Sequence, residues 1–337
     1  MARKRMTQAI NDALVEEMAR DPRVVLFGED VQTSLFGDTR GLVDRFGEKR
    51  VRDTPICEAL LAGMAVGAAA AGQRPILHLM YGNFVYTAFD AIANQAAKLR
   101  YMTAGQMRLP LVFMAVYGAG RSIGAQHSDV PYPALMNLGG LKIAVPSTPA
   151  DAKGLLKACI RDDGPTLFLQ PIRRGGEQGD VPDDDYMIPL GQARICRPGR
   201  DVTLVAIGAM VRHALRAADA VAQQGIDVEV IDPRTLFPLD SALIVESVRR
   251  TGRLIIVDEA RRTCSAAAEI AARVSESAFG ALKGPPRRVT VADVAIPYAP
   301  GLEEAVLPNE NTVAEAIRAA VEAGGERGQD AASRRER

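Results

Sequence analysis

Two side chains of this sequence stand where their chemistry could be put to work. Glu58 closes D-T-P-I-C-E (53–58) and opens A-L-L-A-G-M-A-V-G-A-A-A-A-G-Q (59–73), a run without one ionisable residue. Ala, Gly and Leu at that density predict a helix packed closely on all sides. A carboxylate at its head is pulled two ways, since the helix N-terminus favours the ionised form and burial the protonated one. Glu58 is therefore either an ordinary first-turn acid or a working acid/base. His127 follows the glycine-rich stretch 118–124 and stands among Gln126, Ser128 and Asp129. An imidazole in a polar loop titrates near neutrality and can give or take a proton. The other histidines read more plainly. His78 ends an apolar strand as a satisfied core imidazole, and His213 sits beside Arg212 on a solvated helix. Ser128 lacks the elbow context of a serine nucleophile.

These residues need a frame, and hydrophobic patterning supplies one. Helical periodicity over 6–20 precedes an apolar strand at 24–27, which delivers Glu29 and Asp30 at its carboxyl end, where α/β folds place ligands. Residues 31–50 read as loop. Strands at 75–79, 111–116, 141–145 and 166–169 alternate with helices at 85–101 and 149–161. That alternation implies βαβ units and a mostly parallel sheet with helices on both faces. Residues 171–190 are turn-rich and break the rhythm. A second α/β set follows: strands 202–207, 228–231, 254–257 and 289–291, with helices 210–223, 240–250, 265–279 and 311–323. The fold class is α/β with two domains, 1–175 and 196–325, joined by a linker at 176–195 and ending in a charged, frayed tail at 326–337. Loop 118–124 spaces its glycines G-x-G-x-x-x-G, and no acid closes a second strand about 20 residues on, so a dinucleotide fingerprint does not fit. A tight turn that admits a ligand or subunit does.

Bulk composition narrows the class. Lys+Arg and Asp+Glu number 41 each in 337 residues, which excludes nucleic acid or an acidic membrane surface as the main partner. Cys57, Cys159, Cys196 and Cys264 form no C-x-x-C pair, so reduced thiols are expected rather than a disulfide framework or zinc site. The basic start is not followed by an apolar signal core. The 59–72 run is too short and too rich in Ala and Gly for a membrane span. A soluble cytoplasmic protein is expected.

Seven stretches carry a further reading. They are G-E-D-V (28–31), F-G-E-K-R-V-R-D-T-P-I-C-E (46–58), A-A-K-L-R-Y-M-T-A-G-Q (96–106), G-A-Q-H-S-D (124–129), G-L-K-I-A-V-P-S-T-P-A-D-A-K-G-L-L (140–156), D-V-T-L-V-A-I-G-A-M-V (201–211) and V-I-D-P-R-T-L-F-P-L-D (230–240). In this order, over about 6–320, the sequence resembles the beta subunit of the thiamine-diphosphate-dependent decarboxylating component of 2-oxo acid dehydrogenases. That family takes in the pyruvate, branched-chain 2-oxo acid and acetoin enzymes.

The resemblance implies a pyrimidine-binding first domain and a transketolase C-terminal-like second one. It implies that Glu58 hydrogen-bonds the aminopyrimidine of thiamine diphosphate and activates the cofactor, that Phe84 and Ile56 line that pocket, and that His127 stands near the reacting carbon. A potassium site, mostly of backbone carbonyls, falls on Leu111, Cys159, Ile160, Asp162 and Gly164. No G-D-G occurs in the chain, so the magnesium-bound diphosphate is expected on an alpha subunit, in an α2β2 heterotetramer. The expected activity is oxidative decarboxylation of a 2-oxo acid, pyruvate-type first, with transfer of the acyl group to a lipoyl group on a dihydrolipoyl acyltransferase core. Acetoin and branched-chain 2-oxo acid dehydrogenation are the alternatives, as are a degenerate assembly subunit and a split transketolase-like half, although no basic anchors for a sugar phosphate stand out. His78, Met114, Ala91, Gln170 and Cys57 depart from the family's frequent glutamate, arginine, glutamine, glutamate and serine, which marks a divergent branch.

Overall fold

The computed structural model describes residues 1–335, with side chains through 323; the expected frayed tail, 326–337, lies outside the described side chains. In chain order the first elements are β1 (Ala2–Arg5), α1 (Met6–Arg20), β2 (Val24–Gly28), α2 (Leu42–Phe46), β3 (Val51–Asp53), α3 (Glu58–Ala70) and β4 (Arg74–Tyr81). Next come α4 (Ala97–Met102), β5 (Val112–Tyr117), α5 (Tyr132–Met136), β6 (Lys142–Ala144), α6 (Pro149–Arg161), β7 (Thr166–Pro171) and β8 (Gln178–Val181). The remainder holds β9 (Arg194–Arg197), β10 (Val202–Ala206), α7 (Met210–Ala222), β11 (Val228–Asp232), β12 (Thr235–Phe237) and α8 (Ser241–Thr251). It closes with β13 (Leu254–Arg261), α9 (Ala266–Ala278), β14 (Arg287–Val291), α10 (Pro300–Val306) and α11 (Glu310–Arg335). Among the described residues no helix is long and apolar enough to cross a membrane.

The chain forms two units. The first takes 1–192, 234–238 and 296–303. Its main sheet runs β12-β6-β7-β5-β4-β2-β3, parallel except for the antiparallel edge strand β12. The interior strands read as unbroken apolar runs, V-F-M-A-V-Y in β5 being buried throughout, as parallel strands covered on both faces must be. Helices α1 and α6 lie together on one face, where Ile10, Leu14, Leu155 and Leu156 meet Leu26, Ile76, Met114 and Phe168 in one core. A separate antiparallel pair, β1 with β8, ties residue 2 to residue 181. The turn-rich reading of 171–190 misses this strand because it is short and mostly polar.

Helix α3 differs from the sequence expectation. Glu58, Leu61, Ala62, Ala65, Val66 and Ala69 are buried, while Leu60, Gly63, Met64 and Gly67 are exposed, so the chain covers one face only. The helix expected over 85–101 is broken into a 3-10 turn (Gly82–Tyr86), a π-helical stretch (Ala91–Ala96) and α4. Loop 31–50 contains the short α2.

The second unit takes 193–233, 239–295 and 304–337. Its sheet runs β14-β13-β10-β11-β9, parallel except for β9. Helices α7 and α11 share its core with Val202 and Leu204 on β10 and with Val228 and Val230 on β11. His213 of α7, expected to be solvated, is instead half-buried, with Nδ1 2.6 Å from Glu310 Oε2 on α11.

Candidate active site

Parallel strands put their carboxyl ends on one edge, and β5, β4 and β2 are neighbours in the first unit's sheet. Each delivers part of the site there. Glu29 follows the last residue of β2 directly, in a tight fit. A Cβ on Gly28 would stand 2.3 Å from the His78 carbonyl oxygen, so only glycine lets β2 approach β4 at this point. Strand β4 carries His78 and Tyr81, and its pairing with β5 slips between them at a bulge. Met80, inside the bulge, has φ 58°. Such an irregularity re-aims the side chains on either side. The 3-10 turn after β4 presents Phe84, and that after β5, Ala125–His127, presents His127.

These side chains form two linked groups. In the first, His127 meets Tyr81 edge to face at 4.8 Å and Phe84 at 5.6 Å between ring centroids. Tyr81 also meets Phe84 and Phe36, and Phe36 stacks on His78 at 5.9 Å. Asn83 braces the turn by donating to the Ala125 carbonyl at 3.2 Å and accepting the Asp129 N–H at 3.0 Å. Ser128 is buried and donates to the Gly124 carbonyl, so its hydroxyl is occupied as a loop brace.

The second group is a set of buried acids around His78. His78 Nδ1 accepts the Met80 N–H at 3.1 Å, and Nε2 lies 3.2 Å from Asp38 Oδ2, which assigns the ring proton to Nε2. His78 is thus the satisfied imidazole the sequence suggests, with Asp38 as its partner. Glu29 and Glu58 are each 9% exposed. The Glu29 carboxyl is held above its ordinary range, first by burial and then by the charge of Glu58. Its Oε1 is buried without a hydrogen-bond partner among the described residues. A buried, unpartnered carboxyl oxygen beside a second carboxylate is a site prepared for a polar ligand rather than a finished structural contact. Ile56, two residues ahead of Glu58, is 78% exposed, which leaves an apolar side chain free at the same edge.

The five residues expected to hold potassium do come together, where the α6 C-terminus meets β5. Arg74 Nη1 donates to the Ile160 and Asp162 carbonyls at 2.9 and 3.0 Å, and the Leu111 carbonyl accepts the Thr166 N–H at 2.9 Å. Asp162 also accepts the Gly164 N–H and pairs with Lys142. The Cys159 thiol is fully buried and pushed up to about 12 by that burial. The Arg74 guanidinium therefore already faces two of the five, through the Ile160 and Asp162 carbonyls.

Tyr81, Phe36, Asp38 and Asn83 are site residues that pattern reading passes over. Phe36 and Asp38 fall in a stretch without periodicity, and Tyr81 reads as a strand end.

Comparison with known proteins decides the family. The transketolase pyrimidine binding domain matches residues 3–174, and the transketolase C-terminal domain matches 191–313. The beta subunit of acetoin:2,6-dichlorophenolindophenol oxidoreductase from Cupriavidus necator is 43% identical over 96% of this chain and 99% of its own. The chain belongs to the transketolase-like family of 2-oxo acid and acetoin dehydrogenase beta subunits. The pyruvate dehydrogenase E1 component subunit beta of Rhizobium meliloti is 44% identical over 95% of this chain and 70% of its own. The 2-oxoisovalerate dehydrogenase subunit beta of Bacillus subtilis is 41% identical over 92% and 96%. Among solved structures, one described as a split gene transketolase, inactive beta4 tetramer, superposes with a TM-score of 0.80 at 26% identity, covering 95% of this chain and 99% of that one. The carboxyl-edge acids of this transketolase-like chain lie wholly inside the span matched by the pyrimidine domain.

Proposed function

We propose that this chain is the beta subunit of a 2-oxo acid dehydrogenase decarboxylating component, pyruvate-type, which works with an alpha subunit and passes its acyl group to a lipoyl acyltransferase core. The observation that carries the proposal is the Glu29–Glu58 pair, two buried carboxyls with an unpartnered oxygen at the carboxyl edge of a pyrimidine-binding domain. The residues present fit the aminopyrimidine half of thiamine diphosphate. Glu58 would hold the ring nitrogen, and Phe84 and Ile56 would flank it. When bound, the cofactor supplies the electron sink that decarboxylation of a 2-oxo acid requires.

This chain's own residues then do three things. Glu58 would hydrogen-bond the ring nitrogen and exchange a proton with it there, and the neighbouring Glu29 carboxyl, held above its ordinary range by burial and by the Glu58 charge, makes a fully ionised pair costly. Tyr81 and Phe84 wall the pocket and limit water. His127, packed between these two rings, offers an imidazole to the substrate's carbonyl oxygen.

No G-D-G occurs in the sequence, and a diphosphate needs compensating charge and metal. Magnesium and the diphosphate end therefore belong to the alpha subunit. The exposed face of α3, with Leu60, Gly63, Met64 and Gly67, is where that subunit would pack. A Cβ added to Gly63 or Gly67 would meet nothing within 4 Å among the described residues, which permits close backbone approach. Potassium is not carried into this proposal, because Arg74 already serves two of the carbonyls concerned, those of Ile160 and Asp162.

Acetoin is the second reading, favoured by the end-to-end match with the Cupriavidus necator protein. Both readings are tested together. The chain is reconstituted with its alpha partner, thiamine diphosphate and Mg2+, and dye reduction and carbon dioxide release are followed with pyruvate, 2-oxoisovalerate and acetoin. Carbon dioxide from pyruvate supports the proposal. Dye reduction with acetoin alone supports the second reading. An assembled complex inert to all three overturns both in favour of an assembly role.

A further inference from the structure

The loop that delivers His127 is held from a distant part of the chain. Between β5 and the turn Ala125–His127, the backbone takes positive φ at Gly118 (95°), Gly120 (91°), Ser122 (54°) and Gly124 (81°). Ser122 is no glycine, and an L-residue in that region is strained by about 1 kcal/mol or more. Such a conformation persists only where its surroundings over-determine it. The Arg173 side chain lies along one side, its Cδ 2.3 Å from where a Cβ on Gly120 would stand.

On the other side lies Glu303, in the segment 296–303 that belongs to the first unit. It is 3% exposed. Its Oε1 accepts the Gly120 N–H at 2.7 Å, and its Oε2 accepts the Ser122 N–H at 2.9 Å and the Ser122 hydroxyl at 3.1 Å. Three donors converge on a group that is acceptor-only when ionised, and such hydrogen bonds are the strong ones. Tyr298, in the same segment, lies 3.6 Å from where a Cβ on Gly124 would stand. The loop's last carbonyl, Gly124, accepts the N–H of His127 and the hydroxyl of Ser128.

We infer that Glu303 is a positioning residue of the active site: its carboxylate clamps Gly120 and Ser122 so that the loop presents His127 in register with Tyr81 and Phe84. The inference rests on the function proposed above for its catalytic consequence, but the clamp itself does not. Glu303→Gln keeps size and shape while turning an N–H2 group toward backbone N–H donors.

Two measurements test it. Hydrogen exchange of the peptide spanning 118–128 is compared in wild type and Glu303→Gln, in the assembled complex without cofactor. The expected result is at least about tenfold faster exchange there, with peptides of α1 and α6 unchanged. Steady-state kinetics of the loaded complex should show kcat down about tenfold to a hundredfold with KM within about threefold, as misplacement of a catalytic group costs rate more than binding. Ser122→Gly, which removes one donor and the strain together, serves if Glu303→Gln does not assemble, and it too should speed exchange in 118–128. Unchanged exchange overturns the clamp. Faster exchange with unaltered kcat overturns the positioning role and leaves a structural anchor. A wild-type complex inert to every substrate defeats the proposed function while the exchange comparison still decides the clamp.

Discussion

Two places in the first unit bury carboxylates, and they treat them in opposite ways. Between α1 and α6, Glu17 is fully buried and accepts from Arg161 Nη2 at 2.6 Å, Arg161 Nε at 3.0 Å and Arg20 Nε at 2.8 Å. Lys153 and Lys157 reach Glu16 at 2.7 and 2.5 Å, and Lys157 also pairs with Asp185. The Arg161 guanidinium is pushed above its ordinary value, first by its hydrogen bond to Glu17. At the carboxyl edge of the same sheet, Glu29 keeps an oxygen with no hydrogen-bond partner among the described residues, beside the second carboxylate of Glu58. Burial alone therefore does not mark a working acid. What separates the two places is whether the chain satisfies the charge itself, and at the carboxyl edge it does not.

That contrast can be broken by substitution. The largest effect is expected at the satisfied end. Glu17→Ala takes from the partly buried Arg161 its main counter-charge while leaving Asp185, which places the cost at the low end of a broken buried pair, roughly 3 kcal/mol. Thermal unfolding should show that loss, whereas kcat per folded complex should stay near wild type.

A smaller effect comes from acid. Asp21 is lowered from 3.8 to about 2, chiefly by its hydrogen bond to Arg23. The depressed value means that Asp21 adds stability above pH 3.8, and that this stability is lost as pH falls toward 2. The size is about 2 kcal/mol. Unfolding at about pH 6, 4 and 3 should show a decline in wild type that is shallower in Asp21→Asn.

The smallest effect has the opposite sign. Glu29 is raised above 4.5, so the folded chain disfavours its charged form. Its contribution is most favourable below pH 4.5 and declines as pH rises through the raised value. Glu29→Gln should remove that decline and be more stable than wild type near neutrality and above, by less than the Asp21 effect. Unfolding compared in acid and at about pH 8 checks the sign. Equal stability of the two proteins at both pH values would show that Glu29 is as well satisfied as Glu17.

Much of this was legible from residues alone. The parallel strands β2, β4, β5, β6, β7, β10, β11, β13 and β14, the helix headed by Glu58 and the polar loop of His127 follow from local periodicity and turn chemistry, and the seven family stretches point to the same residues. The parts that were not legible share one cause, which is pairing over long sequence distance. Nothing near Glu303 announces that it binds Gly120, 183 residues earlier. Nothing in T-L-F (235–237) says that it returns to β6 as an antiparallel edge. The bulge at Met80 and the π-helical turn at Ala91–Ala96 are likewise set by what packs against them, in stretches whose composition reads as plain strand and plain helix. For α3 the sequence left two readings open, because the Ala and Gly of 62–72 suit close contact between subunits as well as a buried internal helix, and the structure leaves one face exposed.

The central claim is that Glu58 is the working carboxylate of the Glu29–Glu58 pair. It is tested most directly by Glu58→Gln in the reconstituted complex, with decarboxylation of pyruvate and thermal unfolding measured on the same sample. The account predicts a fall in kcat of about a hundredfold or more, in the range general acid–base groups contribute, with stability equal to wild type or above it. Full activity in Glu58→Gln, or a loss of activity matched by a loss of folded protein, would contradict it.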